Sequence, residues 1–274
     1  MILSDVQSEL DERGIGVDEV GVCGLRYPVS VLDREEGKQD TVATFSMSVA
    51  LHHERKGSHL SRFVEILDSC ASELTPQTVP RILAVIQDRL DSTSAWLKVE
   101  FPYFVRRFAP ITGASALTDY ACGLTASLRD GRTRVVISAR VPVTSVCPCS
   151  KAISDYGAHN QRGYLTIAAD LAIDEDGEAA PMWLEDLIEA AEGSASSAVF
   201  PLLKRPDERH VTMLGYDRPV FVEDMVRGVA DRLRDDARVA GFSVEAINDE
   251  SIHNHAAFAR LVWPPAGSGV SDPW

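Results

Sequence analysis

Residues 20–32 (VGVCGLRYPVSVL) and 40–51 (DTVATFSMSVAL) are rich in β-branched side chains and partly alternate apolar with polar, which predicts two strands. The polar Arg34-Glu35-Glu36-Gly37 stretch between them reads as a hairpin turn. The period then changes. Leu60, Phe63, Val64, Leu67 and Ala71 recur at helical spacing, with Ser58 as a candidate N-cap, and Ile82, Leu83, Ile86 and Leu90 repeat the spacing from about Val79 to Leu90, after Pro76 and Pro80. Two further strands are expected near 96–107 and 117–128.

Beyond the Asp130-Gly131 turn signal the same order returns. Strands are predicted near 133–145 and 163–173, helices near 182–192 and 220–238, and closing strands at about 242–248 and 256–263. In the last helix Val222, Met225, Val226, Val229 and Leu233 form the apolar stripe, and Gly241 suits its end. A doubled strand-strand-helix-helix-strand-strand unit predicts an α+β protein. It is expected to consist of tandem modules, 1–130 and 131–274, with antiparallel sheets carrying helices on one face. Sheet edges need covering, so association of modules within and between subunits is expected. The tail from 264 to 274 lacks periodicity and is expected to be loose.

Composition narrows the class. The 274 residues are 45% hydrophobic and 25% charged, as in a globular protein of one large or two modest domains. No apolar run approaches the roughly 20 residues that cross a bilayer, and Met1 to Asp5 lacks a basic-then-apolar leader pattern, so a cytoplasmic location is expected. Lys and Arg number 27 against 41 Asp and Glu, a formal charge of -14, which argues against nucleic acid or an anionic membrane as partner. A small anionic substrate stays compatible, because charges are screened beyond about 8 Å at physiological salt and a local cation cluster acts alone. The five cysteines are an odd set, with Cys23, Cys70 and Cys122 scattered. They do not read as a disulfide framework.

The candidate chemistry lies in four places. Cys147-Pro148-Cys149-Ser150-Lys151 sits where a strand gives way to a loop. Thiolates are soft metal ligands and nucleophiles, yet one Cys-Pro-Cys supplies too few ligands for a structural zinc cage; redox, metal-binding and nucleophilic roles stay open. Tyr156 to Arg162 gathers an imidazole, two amides and a guanidinium, making His159 a candidate second ligand. Leu203 to His210 offers cations for phosphate and carboxylates for a metal, or a solvated connector, while Glu223 lies beside the apolar stripe of its helix and calls for a partner. Glu250, His253 and His255 alternate between two strands, and both histidines point the same way in an extended chain, open to acid-base or metal roles.

These motifs resemble the type IB GTP cyclohydrolases of folate biosynthesis, a metal-dependent branch of the tunnelling-fold (T-fold) superfamily. The resemblance runs from Asp5-Val6-Gln7 through Val20-Gly21-Val22, Lys56 to Phe63, Phe101-Pro102-Tyr103, Cys147 to Lys151, Gly157 to Arg162 and Leu203 to Glu208. It ends with Phe221 to Met225 and Ser251 to His255. It implies two tandem T-fold modules in a homotetramer. By motif position it implies Cys147, His159 and Glu208 as ligands of one divalent metal (Zn2+, Mn2+ or Fe2+). It further implies Glu223 as the guanine anchor, Cys149, Glu250, His253 and His255 as the catalytic set, and Lys56, His59, Arg62, Lys204 and Arg205 as triphosphate contacts. A carboxylate accepts guanine's adjacent N1–H and N2–H in bidentate fashion. Two positions depart from the family: Ala256 stands where an acidic residue is expected, and Ser58 where Thr is usual.

The implied reaction opens the imidazole ring of GTP at C8, releases formate and gives 7,8-dihydroneopterin triphosphate. The rivals are a T-fold enzyme forming a dihydroneopterin cyclic phosphate, a 7-deazaguanine nitrile reductase with a cysteine nucleophile and a nicotinamide cofactor, and a non-catalytic protein with a closed zinc site. No glycine-rich dinucleotide motif is present.

Overall fold

The computed structural model describes Gln7, residues 9–70 and residues 72–264. Ala71, Asp5-Val6 and the tail from 265 onward lie outside the described residues. Ten strands and six helices are present among the described residues, in the order β1 (Val17–Asp33), β2 (Gly37–Leu51), α1 (Ser61–Cys70), β3 (Glu73–Leu74), α2 (Val79–Leu90), β4 (Ser94–Phe108), β5 (Ser115–Arg129) and β6 (Arg132–Val146). There follow α3 (Pro148–Ile153), β7 (Asn160–Leu171), α4 (Leu184–Gly193), β8 (Ser197–Ala198), α5 (Arg205–Asp217), α6 (Val222–Leu233), β9 (Val239–Asp249) and β10 (Ala256–Trp263). The fold is α+β, as the periodicity predicts. No helix among the described residues is long and apolar enough to cross a membrane.

The chain forms two compact units, Met1–Phe101 with Gly123–Ile137 and Leu171–Met182, and Pro102–Cys122 with Ser138–Asp170 and Trp183–Trp274. Strands β4, β5 and β6 contribute a segment to each.

In the first unit β1 and β2 form the expected hairpin, with Asp33 paired to Gly37 across its end. The buried carboxylate of Asp33 accepts the N–H groups of Glu35 and Glu36 at 2.9 and 2.8 Å, so an Asx-type contact shapes the turn. Strand order runs β3-β1-β2-β4. The β1–β2 and β2–β4 pairs are antiparallel and the short β1–β3 pair is parallel. Alternation buries Ala43, Phe45, Met47 and Val49 of β2 and Ala95, Leu97 and Val99 of β4. Helix α2 occupies the predicted span and packs against α1 and β2. The Asp130-Gly131 signal is a two-residue turn with φ of 50° and 73°, which joins β5 to β6. Positive φ at both positions matches the twist of the flanking strands.

The stripe of α1 differs from the expected one. Phe63, Ile66 and Leu67 are buried, whereas Leu60 and Val64 are 42% and 44% exposed. The helix starts at Ser61, later than a Ser58 cap requires, and it docks with Ile66 rather than Val64 on its buried face.

In the second unit strand order is β10-β9-β7-β6, continuing to the β5 and β4 segments of that unit, with β8 on β6. Helix α6 lays Val222, Met225, Val226, Val229 and Leu233, the expected stripe, onto β9 and β10. It also packs on α4. Two helices escaped the periodicity: α3, and α5 where a connector was equally open. Ala256 opens β10 opposite Asp249, so an acidic residue there would face a like charge across the strands, a destabilising pair.

The α1 stripe is testable. Leu67→Ala empties a buried position and is expected to cost about 2–5 kcal/mol of unfolding free energy. Val64→Ala is expected to stay within about 0.5 kcal/mol. Denaturant titration of the two variants checks both, and equal losses would contradict the assignment.

Candidate active site

Strand β6 ends at Val146, and Cys147 follows as the N-cap of α3 with Pro148 at the first helical position, where a missing N–H costs nothing. The Cys147 sulfur accepts the Ser150 N–H at 3.4 Å. The loop then returns to the same place. The Cys147 N–H donates to the His159 carbonyl at 3.1 Å, and the His159 N–H donates to Ser150 Oγ at 3.2 Å. The cysteine turn and the histidine are thus tied through backbone at both of the histidine's polar main-chain atoms.

The His159 side chain is held as firmly. Its Nδ1 lies 2.9 Å from Gln161 Oε1, Gln161 Nε2 donates to Ser145 Oγ at 3.3 Å, and Ser145 Oγ donates to the Val220 carbonyl at 3.0 Å. Gln161 and Ser145 are buried. Glu250, just past the end of β9, brings a carboxylate oxygen 3.9 Å from His159 Nδ1, with side chains only 14% and 13% exposed. One strand inward the amide of buried Asn248 lies against Gly163: a Cβ there would meet Asn248 Oδ1 at 2.1 Å.

Helix α5 is placed by a polar latch. Asp207, fully buried, accepts the Ile111 and Thr112 N–H groups at 2.8 and 2.9 Å, the Thr112 hydroxyl at 2.6 Å and the Lys204 N–H at 2.9 Å. Burial pushes its carboxyl pKa up, but the hydrogen bonds from Thr112, Lys204 and Ile111 outweigh this and hold it well below the usual carboxylate range. At the other end of α5, the Lys151 ammonium of α3 donates to the Tyr216 carbonyl at 2.5 Å and lies over the Tyr216 ring. Glu208, Lys204 and Arg205 are exposed in and before the first turn of this helix.

Of the expected ligands, Cys147 and His159 are brought together and Glu250 joins them. Among the described residues no group of three or more His, Cys, Asp or Glu side chains is arranged to hold a metal ion. Cys149 is exposed on α3. Glu223 is exposed in the first turn of α6, where Asp224 accepts the Phe221 N–H at 3.3 Å. His253 and His255 are exposed with stacked rings, centroids 5.1 Å apart, in a bend before β10 rather than in the extended chain expected.

The remaining expected contacts belong to the first unit. His59 and Arg62 line a cavity of about 290 Å3 with Gln7, His52, Arg55 and Asp91. Arg62 donates to the Arg89 carbonyl at 2.8 Å and Arg55 pairs with Asp91. Lys56 is outside this lining and pairs with Glu9 at 2.6 Å. Sequence reasoning missed Gln161, Ser145, Asn248 and Asp207 as supports. The capping pattern of an aspartate after Lys204-Arg205-Pro206 was the signal for Asp207.

A family model described as type I GTP cyclohydrolase FolE2 matches residues 3–259. Curated relatives named GTP cyclohydrolase FolE2 include proteins of Nitrosococcus oceani and Methylobacillus flagellatus. Each is 46% identical over 259 residues, with 94% of this chain covered and 94% and 95% of theirs. In structure the chain is similar to uricase from Arthrobacter globiformis, with a TM-score of 0.53 at 8% identity, covering 93% of this chain and 96% of that one. That likeness concerns the fold alone.

The latch predicts a pH dependence. A carboxyl whose folded pKa is depressed contributes stability that is fully present above its unfolded value of about 3.9 and is lost as pH falls through the folded value. Asp207→Asn removes one acceptor atom, so the variant is expected to be less stable than the parent at neutral pH. The gap is expected to shrink below about pH 4. Thermal midpoints of both proteins across that range check it; a constant gap down to the acid limit contradicts the assignment.

Proposed function

We propose the chemistry of this centre from the premise that the chain belongs to the type I GTP cyclohydrolase FolE2 family, whose model spans residues 3–259. The protein is a GTP cyclohydrolase, acting on GTP as its substrate. The observation that carries the chemistry is the backbone-tied pair of Cys147 and His159 with the Glu250 carboxylate beside the imidazole. Family membership removes the nitrile reductase from the alternatives.

A thiolate, an imidazole and a carboxylate suit a divalent ion such as Zn2+, Mn2+ or Fe2+, and the oriented, half-buried His159 with a hydrogen-bonded second nitrogen is what a metal-ligating histidine requires. Cys147 and His159 would hold it, with Glu208 as the third ligand. Such an ion supplies Lewis acidity and makes hydroxide available near neutral pH. Glu223 accepts the N1–H and N2–H of guanine and fixes the ring for attack at C8. His253, with Glu250 or His255, delivers a proton to the departing ring nitrogen. Water adds to C8 as that C–N bond breaks, giving a formamide; a second water cleaves the formamide to formate and an amine. Rearrangement of the opened ribose and closure of the pterin ring expel one water, for a net use of one. Cys149 stands exposed beside this centre as a further ligand or a neighbour of the reacting carbon. Lys204 and Arg205, exposed at the start of α5, supply positive charge for the triphosphate.

The reading extends to the IB subtype, to tandem T-fold modules split at 130/131, to a homotetramer and to a place at the start of folate synthesis in the cytoplasm. The continuity of the motifs supports it.

Purified protein given GTP and Zn2+ or Mn2+ is expected to release formate and, after oxidation, a fluorescent pterin; silence with every divalent metal sinks the reading. Glu223→Gln loses a charged hydrogen-bond acceptor, so kcat/KM for GTP is expected to fall about tenfold to a hundredfold. The fall for inosine triphosphate, which lacks N2–H, is expected to be smaller.

A further inference from the structure

We propose that Gln161 and Ser145 are positioning residues that hold His159 in the tautomer with its proton on Nδ1, so that the Nε2 lone pair is the one offered to a divalent cation. The inference rests on the reading of His159 as a ligand.

The polarity of the chain is set at its far end. The Val220 carbonyl can only accept, so the 3.0 Å contact commits the Ser145 hydroxyl proton to it. Ser145 Oγ is then left as an acceptor toward Gln161, and only the amide nitrogen of Gln161 can donate to it, at 3.3 Å. That orients the glutamine. Its carbonyl Oε1, which carries no proton, faces His159 Nδ1 at 2.9 Å, and the proton in this bond belongs to the imidazole.

The reverse arrangement has no support from solvent. Gln161 is 7% and Ser145 1% exposed, so a flipped amide would leave buried groups without partners. Glu250 lies on the same side of the ring, but its 3.9 Å separation from Nδ1 is too long for a hydrogen bond, and Gln161 is the nearer acceptor. The main chain of His159 is already fixed by Cys147 and Ser150, so the amide has only the ring to set.

The relay also has a reach beyond the histidine. The Val220 N–H donates to the Val146 carbonyl at 3.1 Å, so the connector between α5 and α6 is tied to the end of β6 by the same residue that terminates the relay. Val220 stands just before Phe221 and Glu223. The orientation of the proposed ligand and the start of the helix carrying the proposed guanine anchor therefore share one buried hydrogen-bonded chain.

The test uses full-length protein labelled with 15N-histidine. Two-bond proton–nitrogen correlations of the metal-free protein read which ring nitrogen is protonated, with the His159 signal assigned by its loss in His159→Gln. The expected result is Nδ1–H in the wild type, a tautomer mixture in Gln161→Met and in Ser145→Ala, and recovery of Nδ1–H in Gln161→Glu. Chelator competition for Zn2+ at fixed pH is expected to show affinity about tenfold to a hundredfold weaker in Gln161→Met, with recovery in Gln161→Glu. A proton on Nε2 in the wild type, which needs no variant to fold, overturns the proposal. So does a Gln161→Met protein with unchanged tautomer and affinity. Failure of the wild type to bind any divalent ion overturns the metal reading instead, and the tautomer then decides the positioning role alone.

Discussion

The hydrogen bond from the Cys147 N–H to the His159 carbonyl is the constraint on which the centre depends. It closes the excursion that carries α3, so a thiol that ends one strand and an imidazole that begins the next are fixed relative to each other by main chain. Main-chain bonds of this kind lose little to side-chain disorder, and both partners are obligatory hydrogen-bonding groups. Everything attached to that loop inherits the constraint. The Ser150 hydroxyl caps the His159 N–H, the Cys147 sulfur caps the Ser150 N–H, and Lys151 carries the tie on to the C-terminal turn of α5.

Helix α5 shows the same economy of polar contacts in place of apolar ones. Its buried residues are Asp207 and Gly215, so no hydrophobic face anchors it. A buried carboxylate with four donors does that work, joining the turn after β4 to the start of the helix. This is why hydrophobic periodicity could not find α5: the sequence from Arg205 to Asp217 has no apolar stripe to read. The strands and the helix α6 were legible because they bury alternate or every third and fourth residue against a core. The stripe of α1 was misplaced because a short helix with apolar residues on two sides, Val64 and Ile66, has its facing decided by what it packs against, and α1 packs against α2.

The candidate site was legible only through its reactive side chains. Chemically distinctive side chains, the two thiols, the histidines and the carboxylates near them, stand out in a sequence with seven histidines and five cysteines. Their supports do not. Gln161, Ser145 and Asn248 are of common types, and their importance comes from burial and from neighbours distant along the chain, which no local pattern records. Glu250 was legible as a reactive group, but its approach to the His159 ring was not, because that depends on where β9 ends relative to β7.

An acidic chain that handles a triphosphate needs its positive charge placed, not abundant. With a formal charge of -14, the long-range field repels an anionic substrate. What can favour binding is a short-range arrangement in which cations act within a Debye length. Lys204 and Arg205 stand at the N-terminal end of α5, where the helix dipole adds to their field. Asp207 and Glu208 in the same turn oppose that field, but Asp207 directs its charge inward to its four donors. The latch thus has two consequences from one geometry: it anchors a helix that lacks an apolar face, and it withdraws a negative charge from the surface that carries Lys204 and Arg205.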